Sequence, residues 1–388
     1  MKKKMILRGA ALLLTGAMLL GGSLPVQALS EEDVAAPSAV LMDAGSGKVL
    51  FEKNVHEKRA CASVTKVMTL LLVMEALDAG KIKLEDEVAA SAHAASMGGS
   101  DIWLEEGEVM TVNDLIKATV IMSANDAAVV LAEYVAGSEE DFVSQMNQKA
   151  QQLGMEDTTF KNCNGLDEEG HLTSAYDVAL MSRALISHEK IFDYTQIWMD
   201  SLRDGKTQLV NTNKLLKTYD GITGLKTGTT GKARSCISAT AERNGLSLIS
   251  VVLGCSTTQE RFDSAAKLLD YGFANWSSVE VQLPSAGAVK VTGGMQPYVE
   301  TAPKTSGNLS VLIPKGKESE VKTEIQLPES VKAPVEEGQR LGQVVCTLGE
   351  ETLTEVPILA RQAVEKTDWK KCFWLLLENL CCFAQAAA

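Results

Sequence analysis

The sequence predicts an α+β fold: an antiparallel sheet with a helical subdomain, followed by a small all-β domain and an amphipathic C-terminal helix. Three observations predict it. Strand-like runs stand at both ends of residues 38–275, with helical periodicity between them. From residue 278 short alternating runs of Val, Ile and Leu are broken by Pro and Gly. From Trp369 apolar residues recur at helical spacing. The 388 residues suffice for two domains. The expected divisions are 1–28, 29–277, 278–365 and 366–388.

Residues 1–28 are expected to be cleaved off as a signal peptide, in preference to staying attached as a short membrane anchor. Lys2, Lys3, Lys4 and Arg8 precede the apolar run Ala10 to Leu20, and Val26-Gln27-Ala28 supplies the small residues of a cleavage site. This is the pattern of a secretory signal, and the run is too short to span a bilayer. The chain is therefore expected outside the cytoplasm, peripheral on the outer face of the membrane.

Residues 38–52 predict a hairpin around Asp43-Ala44-Gly45-Ser46-Gly47. Helical spacing begins at Ser63, through Val67, Leu70, Leu71, Met74 and Leu77, and Gly80 stops it. Thr111 and Asp114 predict a capped helix running through Met122. A second helix runs from Ala127 to Ala136, and others cover 139–153, 175–187 and 259–275. Strands are expected at Leu225–Thr229, Ser235–Ala241 and Leu246–Gly254, the last two joined by an Asn244-Gly245 turn.

In the tail, Trp369, Phe373, Leu376, Leu377, Leu380 and Ala384 form one stripe. Charges at Lys371 and Glu378 leave no membrane-spanning length. The stripe fits a helix lying in a membrane interface, or one packed on the protein's own surface.

The net charge of −13 becomes −17 from residue 29 onward, because the first 28 residues hold four basic residues and no acidic ones. A nucleic-acid partner is excluded, since such binders need a basic footprint. No CxxC pair exists among the eight cysteines, and the four histidines are scattered, so neither a metal nor another cofactor is expected. In a two-residue hairpin Cys236 faces position 253, with Cys255 as its diagonal neighbour. A bridge or two free thiols both fit that placement.

Three short motifs carry chemistry. Ser63-Val64-Thr65-Lys66 starts an apolar helix, so Ser63 stands at the positive end of the dipole and Lys66 lies one turn along on the same face. Val64, Val67 and Met68 would desolvate Lys66, lower its pKa and free it to deprotonate the serine. The same spacing at Ser187/Lys190, Ser264/Lys267 and Ser319/Lys322 lacks this context. Ser123-Ala124-Asn125 stands between two helices. It offers a proton-relaying hydroxyl and a substrate-holding amide, or simply a helix cap. Lys226-Thr227-Gly228 occurs once, on a strand: Lys226 adds positive potential and Gly228 admits a substrate backbone at the strand edge. An exposed lysine before a turn is the plainer alternative.

In this order the motifs resemble those of the serine penicillin-recognising enzymes. Among them the chain is most similar to the low-molecular-mass D-alanyl-D-alanine carboxypeptidases. The matching stretches are 62–69, 123–128, Met146-Asn147, 153–155, 162–166, Thr212-Asn213 and 224–228. The resemblance covers residues 38–275 and implies a β-lactamase/transpeptidase-like catalytic domain. It implies that Ser63 attacks a stem-peptide D-alanyl-D-alanine bond in peptidoglycan and that Lys66 takes its proton. Ser123 and Asn125 then assist, Lys226 and Thr227 bind the terminal carboxylate region, and the Ser63 and Thr229 N–H groups form the oxyanion hole. β-Lactams are the implied covalent inhibitors. Two departures stand out. Thr229 replaces a bulkier residue of many relatives, and Lys232-Ala-Arg-Ser-Cys236 replaces a stretch that often reads Ala-Gly-aromatic. Arg234 either adds carboxylate affinity or, as the favoured reading, is a surface strand residue, and Arg261 is a similar weak candidate. A class A β-lactamase is disfavoured by the missing Glu-x-x-Leu-Asn segment between 126 and 226. A penicillin-binding sensor that never turns over stays open.

Overall fold

A computed structural model describes residues 29–305 and 307–374. The signal-like segment and the tail beyond Trp374 lie outside the described residues. The predicted hairpin forms from β1 (Ser38–Asp43) and β2 (Val49–Lys53). These join β3 (Ile222–Thr230), β4 (Arg234–Arg243) and β5 (Leu246–Cys255) in one antiparallel sheet of order β2-β1-β5-β4-β3. The strand bearing Lys226-Thr227-Gly228 is thus an edge, with one row of backbone groups free for a ligand.

The apolar runs are nearly continuous because both sheet faces are covered. Val40, Met42, Ile249, Val251 and Leu253 face a core shared with α1 (Lys66–Asp78) and α5 (Ala175–Ile186). Ala39, Leu41, Ile237, Ala239, Leu248 and Val252 face α6 (Thr258–Asn275) through Leu268 and Leu269. Thr257 caps α6 with Glu260 in a reciprocal capping box.

Between the strand groups lie α2 (Val112–Lys117), α3 (Asn125–Ala136) and α4 (Glu139–Gln152). The Thr111 side chain accepts from Asp114 N, as expected. The helix does not continue regularly to Met122: residues Ala118–Met122 widen into a π turn, which Ser123 ends in the left-handed region at φ 66°. Within this stretch the Thr119 hydroxyl donates to the Leu115 carbonyl at 2.8 Å, competing with regular helix bonding. Such local widenings cluster at functional sites.

The hairpin keeps the register of a two-residue turn from Arg243↔Leu246 to Ile237↔Val252 and leaves it only beyond Ile237. A bulge between Ser235 and Ile237 puts Ser235, not Cys236, against the end of β5, opposite Cys255. Both cysteines are free.

From Trp276 to Ala360 the regular structure of the chain is all strand apart from one short turn of helix at Glu318–Glu320. Trp276–Gln282 pairs with Asn308–Pro314, and Arg340–Leu348 pairs with Glu351–Ala360. Its cores are small and apolar, built on residues such as Val281, Val311, Ile313, Val344, Val356 and Ile358.

Candidate active site

Ser63 lies in a 3-10 turn (Ala62–Thr65) that feeds directly into α1, so Lys66 begins the helix one turn beyond it. The Lys66 Nζ and Ser63 Oγ atoms are 3.2 Å apart. Lys66 is fully buried. It donates to Asn125 Oδ1 at 2.6 Å and to the Asn164 carbonyl at 2.6 Å. Asn125 Nδ2 donates to the Gly98 carbonyl at 2.7 Å, which fixes the amide orientation. Burial pushes the Lys66 ammonium down to about 7, against the weaker opposing pull of Cys163 and Asp126.

These bonds set aside the helix-cap reading of Asn125, since the N-cap position of the helix is Ala124. The Asn125 side chain does not cap α3; each end of its amide makes one bond inside the site and keeps one further hydrogen-bonding position. Asp126 does the local structural work, accepting from Ile102 N, Leu104 N and Ala127 N at 3.0, 3.1 and 2.8 Å. The Ser123 hydroxyl is buried and has no hydrogen-bond partner among the described residues. It is not bonded to Lys66 here.

Lys226 is also buried, not exposed before a turn. Desolvation first, then the charges of Lys66 and Arg261, hold its pKa well below the ordinary lysine range. Thr227 Oγ1 donates to Thr212 Oγ1 at 2.7 Å, and Asn213 Nδ2 donates to the Gly224 carbonyl at 3.0 Å. The Thr212-Asn213 pair therefore braces β3 from below. A Cβ at Gly228 would lie 2.6 Å from the Cys61 carbonyl oxygen and 2.8 Å from Ser63 N. Only glycine lets this strand meet the nucleophile's backbone so closely. Gly165 plays a similar part: at φ +86° its Cβ would lie 2.0 Å from the Ala62 carbonyl oxygen.

Arg261, only a weak candidate from the sequence, lies against the strand that carries Lys226-Thr227-Gly228. It is buried, and its Nη1 donates to the Gly228 carbonyl at 3.1 Å and to Thr229 Oγ1 at 3.0 Å. Arg234, by contrast, is exposed as expected. The Asn164 carbonyl was missed as a ligand of Lys66, although the 162–166 stretch had been singled out. Among the described residues no group of three or more metal-ligating side chains stands together.

The geometry has counterparts among known proteins. Residues 25–257 match the family model described as D-alanyl-D-alanine carboxypeptidase, and residues 282–366 match that of the penicillin-binding protein 5 C-terminal domain. The D-alanyl-D-alanine carboxypeptidase DacF of Bacillus subtilis is 46% identical over 337 residues, covering 85% of this chain and 86% of the relative. DacC of Escherichia coli is 37% identical, covering 93% and 92%. Penicillin-binding protein 5 of Haemophilus influenzae superposes with a TM-score of 0.77 at 30% identity, over 87% of this chain and all of that one. Penicillin-binding protein D2 of Listeria monocytogenes, solved in an ampicillin-bound form, superposes at 0.55 with 34% identity, over 62% and 98%.

Proposed function

The chain belongs to the D-alanyl-D-alanine carboxypeptidase family, and on that premise we propose that it removes the terminal D-alanine of peptidoglycan stem peptides through an acyl-enzyme on Ser63. The hydrogen-bond count at Lys66 carries the assignment. A neutral amine has two N–H donors and one lone pair. Asn125 Oδ1 and the Asn164 carbonyl, which can only accept, take the two donors. As an ammonium Lys66 donates to Ser63 Oγ at 3.2 Å; once neutral, with its two N–H groups held, it turns its lone pair to the Ser63 hydroxyl. With its pKa at about 7, Lys66 is matched to general-base work near neutrality.

The steps follow from this arrangement. Lys66 accepts the Ser63 proton as Oγ attacks the carbonyl carbon of the penultimate D-alanine. The oxyanion receives hydrogen bonds from Ser63 N and Thr229 N, each worth roughly 10²–10³ in rate. Lys226, Thr227 and the Arg261 guanidinium beneath Thr229 attract the terminal carboxylate. Gly228 keeps the strand close enough for the substrate to lie along its edge. The C–N bond breaks as the leaving amine takes a proton from Lys66 through the Ser123 hydroxyl, while Asn125 holds the substrate amide. Water, deprotonated by Lys66, then cleaves the ester and restores Ser63. β-Lactams acylate the same serine. No carboxylate is among the Lys66 partners, so the penicilloyl ester should persist, unlike a β-lactamase intermediate.

Incubation with a stem pentapeptide tests the reading. Free D-alanine should accumulate, undiminished by EDTA. A stable penicillin adduct without D-alanine release would point to the sensor instead, and an adduct cleared in seconds to a β-lactamase.

Export and peripheral attachment are part of the same proposal. The signal-like residues 1–28 support export. Residues 369–374 are helical and leave Trp369, Phe373 and Trp374 exposed, which supports the interfacial-helix reading of the tail. No described helix is long and apolar enough to cross a membrane. Removing residues 367–388 should abolish flotation with anionic liposomes while D-alanine release continues. Equal flotation of both forms would assign the helix to the protein's own surface.

A further inference from the structure

Past Thr230 the edge strand β3 turns into β4, and beside that turn lies a cavity of about 520 Å³ that the mechanism above leaves unused. Its charged lining residues are Lys58, Arg59, Lys232, Arg234 and Glu57. Four cations against one carboxylate run counter to a chain of net charge −13. A cleft of one sign attracts ligands of the other.

The cations are incompletely paired. Arg59 Nη2 donates to Glu57 Oε1 at 2.7 Å, and Lys58 stands 3.8 Å from Asp157. Yet Arg59 Nε is buried without a hydrogen-bond partner among the described residues. Arg234 reaches only Ser256 Oγ, at 3.5 Å. Neither Lys232 nor Arg234 has a carboxylate within ion-pair distance among the described residues. The Asp167 carboxylate beside the turn accepts from Thr230 Oγ1 and from Lys232 N, at 2.6 and 3.2 Å, rather than from a cationic side chain.

Arg234 holds φ at +58°, a conformation open to glycine and strained for a residue with a Cβ. Strain of this kind persists where the position is used.

We propose that Arg234, Lys232 and Arg59 form a subsite for a carboxylate on the acyl-donor side of the stem peptide, upstream of the scissile bond. The inference rests on the function proposed above, which sets the direction. The leaving D-alanine lies at Lys226 and Thr227, and the reacting carbonyl lies between Ser63 and Thr229. The donor peptide then continues along β3 toward Thr230 and Gly231. At about 3.3 Å per residue, the two residues upstream of the acyl D-alanine reach the turn roughly 7–10 Å on. Stem peptides carry free carboxylates there: on the glutamyl residue, and on the third residue where it is a dicarboxylic diamino acid.

The test compares pentapeptides with both carboxylates free, with the glutamyl group alone amidated, and with the third-residue group alone amidated. D-Alanine release gives kcat/KM for the wild type, Arg234→Gly and Lys232→Ala. The glycine variant relieves the backbone strain, so misfolding does not confound it. In the wild type one amidation should lower kcat/KM about tenfold, through KM, as expected for a charge-assisted contact made equally in ground and transition states. The position that does so names the bound carboxylate. The free-to-amidated ratio should collapse toward unity in both variants. A wild-type ratio near one for both amidations, or a ratio unchanged in both variants, overturns the subsite while leaving the carboxypeptidase reading intact. Failure of the wild type to release D-alanine from any of the peptides overturns the reading beneath it.

Discussion

The two halves of the molecule handle polar burial in opposite ways. Among the described residues, every buried polar or charged residue but one lies before residue 276; the exception is Thr301. The first half buries Lys66, Lys226 and Arg261 around one serine, where unpaired charge is strongly destabilising unless function requires it. The second half fills its cores with Val, Ile and Leu and keeps its charges outside. The difference locates the chemistry: burial holds the pKa values of Lys66 and Lys226 down beside Ser63, whereas the second half buries almost no polar group.

The largest effect that sharpens this contrast is Lys66→Ala. Acylation by a fluorescent penicillin should slow by about 10²–10⁴-fold, the usual worth of a positioned base. An unchanged rate in stopped-flow labelling would remove the lysine from the mechanism.

Gly228→Val comes next. Its side chain must displace the Cys61 and Ser63 backbone, so acylation should fall by roughly 10²-fold, the loss expected when oxyanion donors are misplaced. Circular dichroism should show the fold retained. Wild-type labelling would mean that the strand and the nucleophile do not need this close approach.

The pH dependence is more graded. Only neutral Lys66 accepts the proton, so the acylation rate should rise about tenfold per pH unit up to about 7 and then level. The stability sign agrees. The folded lysine loses its proton near 7 and the unfolded one near 10.5, so the unfolded chain holds more protons across that window. The contribution of Lys66 to stability therefore increases as pH rises from about 7 to 10.5, and its burial penalty is largest below 7. Urea melts of wild type and Lys66→Met across this range should converge toward high pH. An acylation profile falling with pH would contradict the base assignment.

The smallest effect on activity belongs to the other half. Ile358 is fully buried there, so Ile358→Ala should destabilise that half by about 2–5 kcal/mol. Penicillin labelling should stay near the wild-type rate. A loss comparable to that of Gly228→Val would show that the halves are energetically coupled at the site.

Much of this was legible because local rules and tertiary demands agreed. The step of three from Ser63 to Lys66 puts both on one helical face, and the apolar neighbours that desolvate the lysine are adjacent in sequence. The hairpin at 38–52 and the strand Leu246–Gly254 were announced by local turn residues, Asp43 to Gly47 in the first and Asn244-Gly245 before the second. What escaped detection depended on contacts between distant segments. Any residue can offer a carbonyl, so the Asn164 oxygen that holds Lys66 left no signal in residue type. Arg261 sits on an amphipathic helix, and nothing local separates a solvent-facing arginine from one aimed at the Gly228 carbonyl. The bulge at Ser235 was hidden because Arg234, not glycine, takes the left-handed turn before it. The π turn before Ser123 arises in a sequence of ordinary helix formers with only Thr119 to hint at it.

Mass spectrometry of the protein after incubation with benzylpenicillin tests the central claim most directly. The account predicts one adduct per chain, located after digestion on the peptide containing Ser63, and none in Ser63→Ala, while Ser187→Ala and Ser264→Ala are labelled as the wild type is. An adduct that survives in Ser63→Ala, or that maps to another serine, would contradict it.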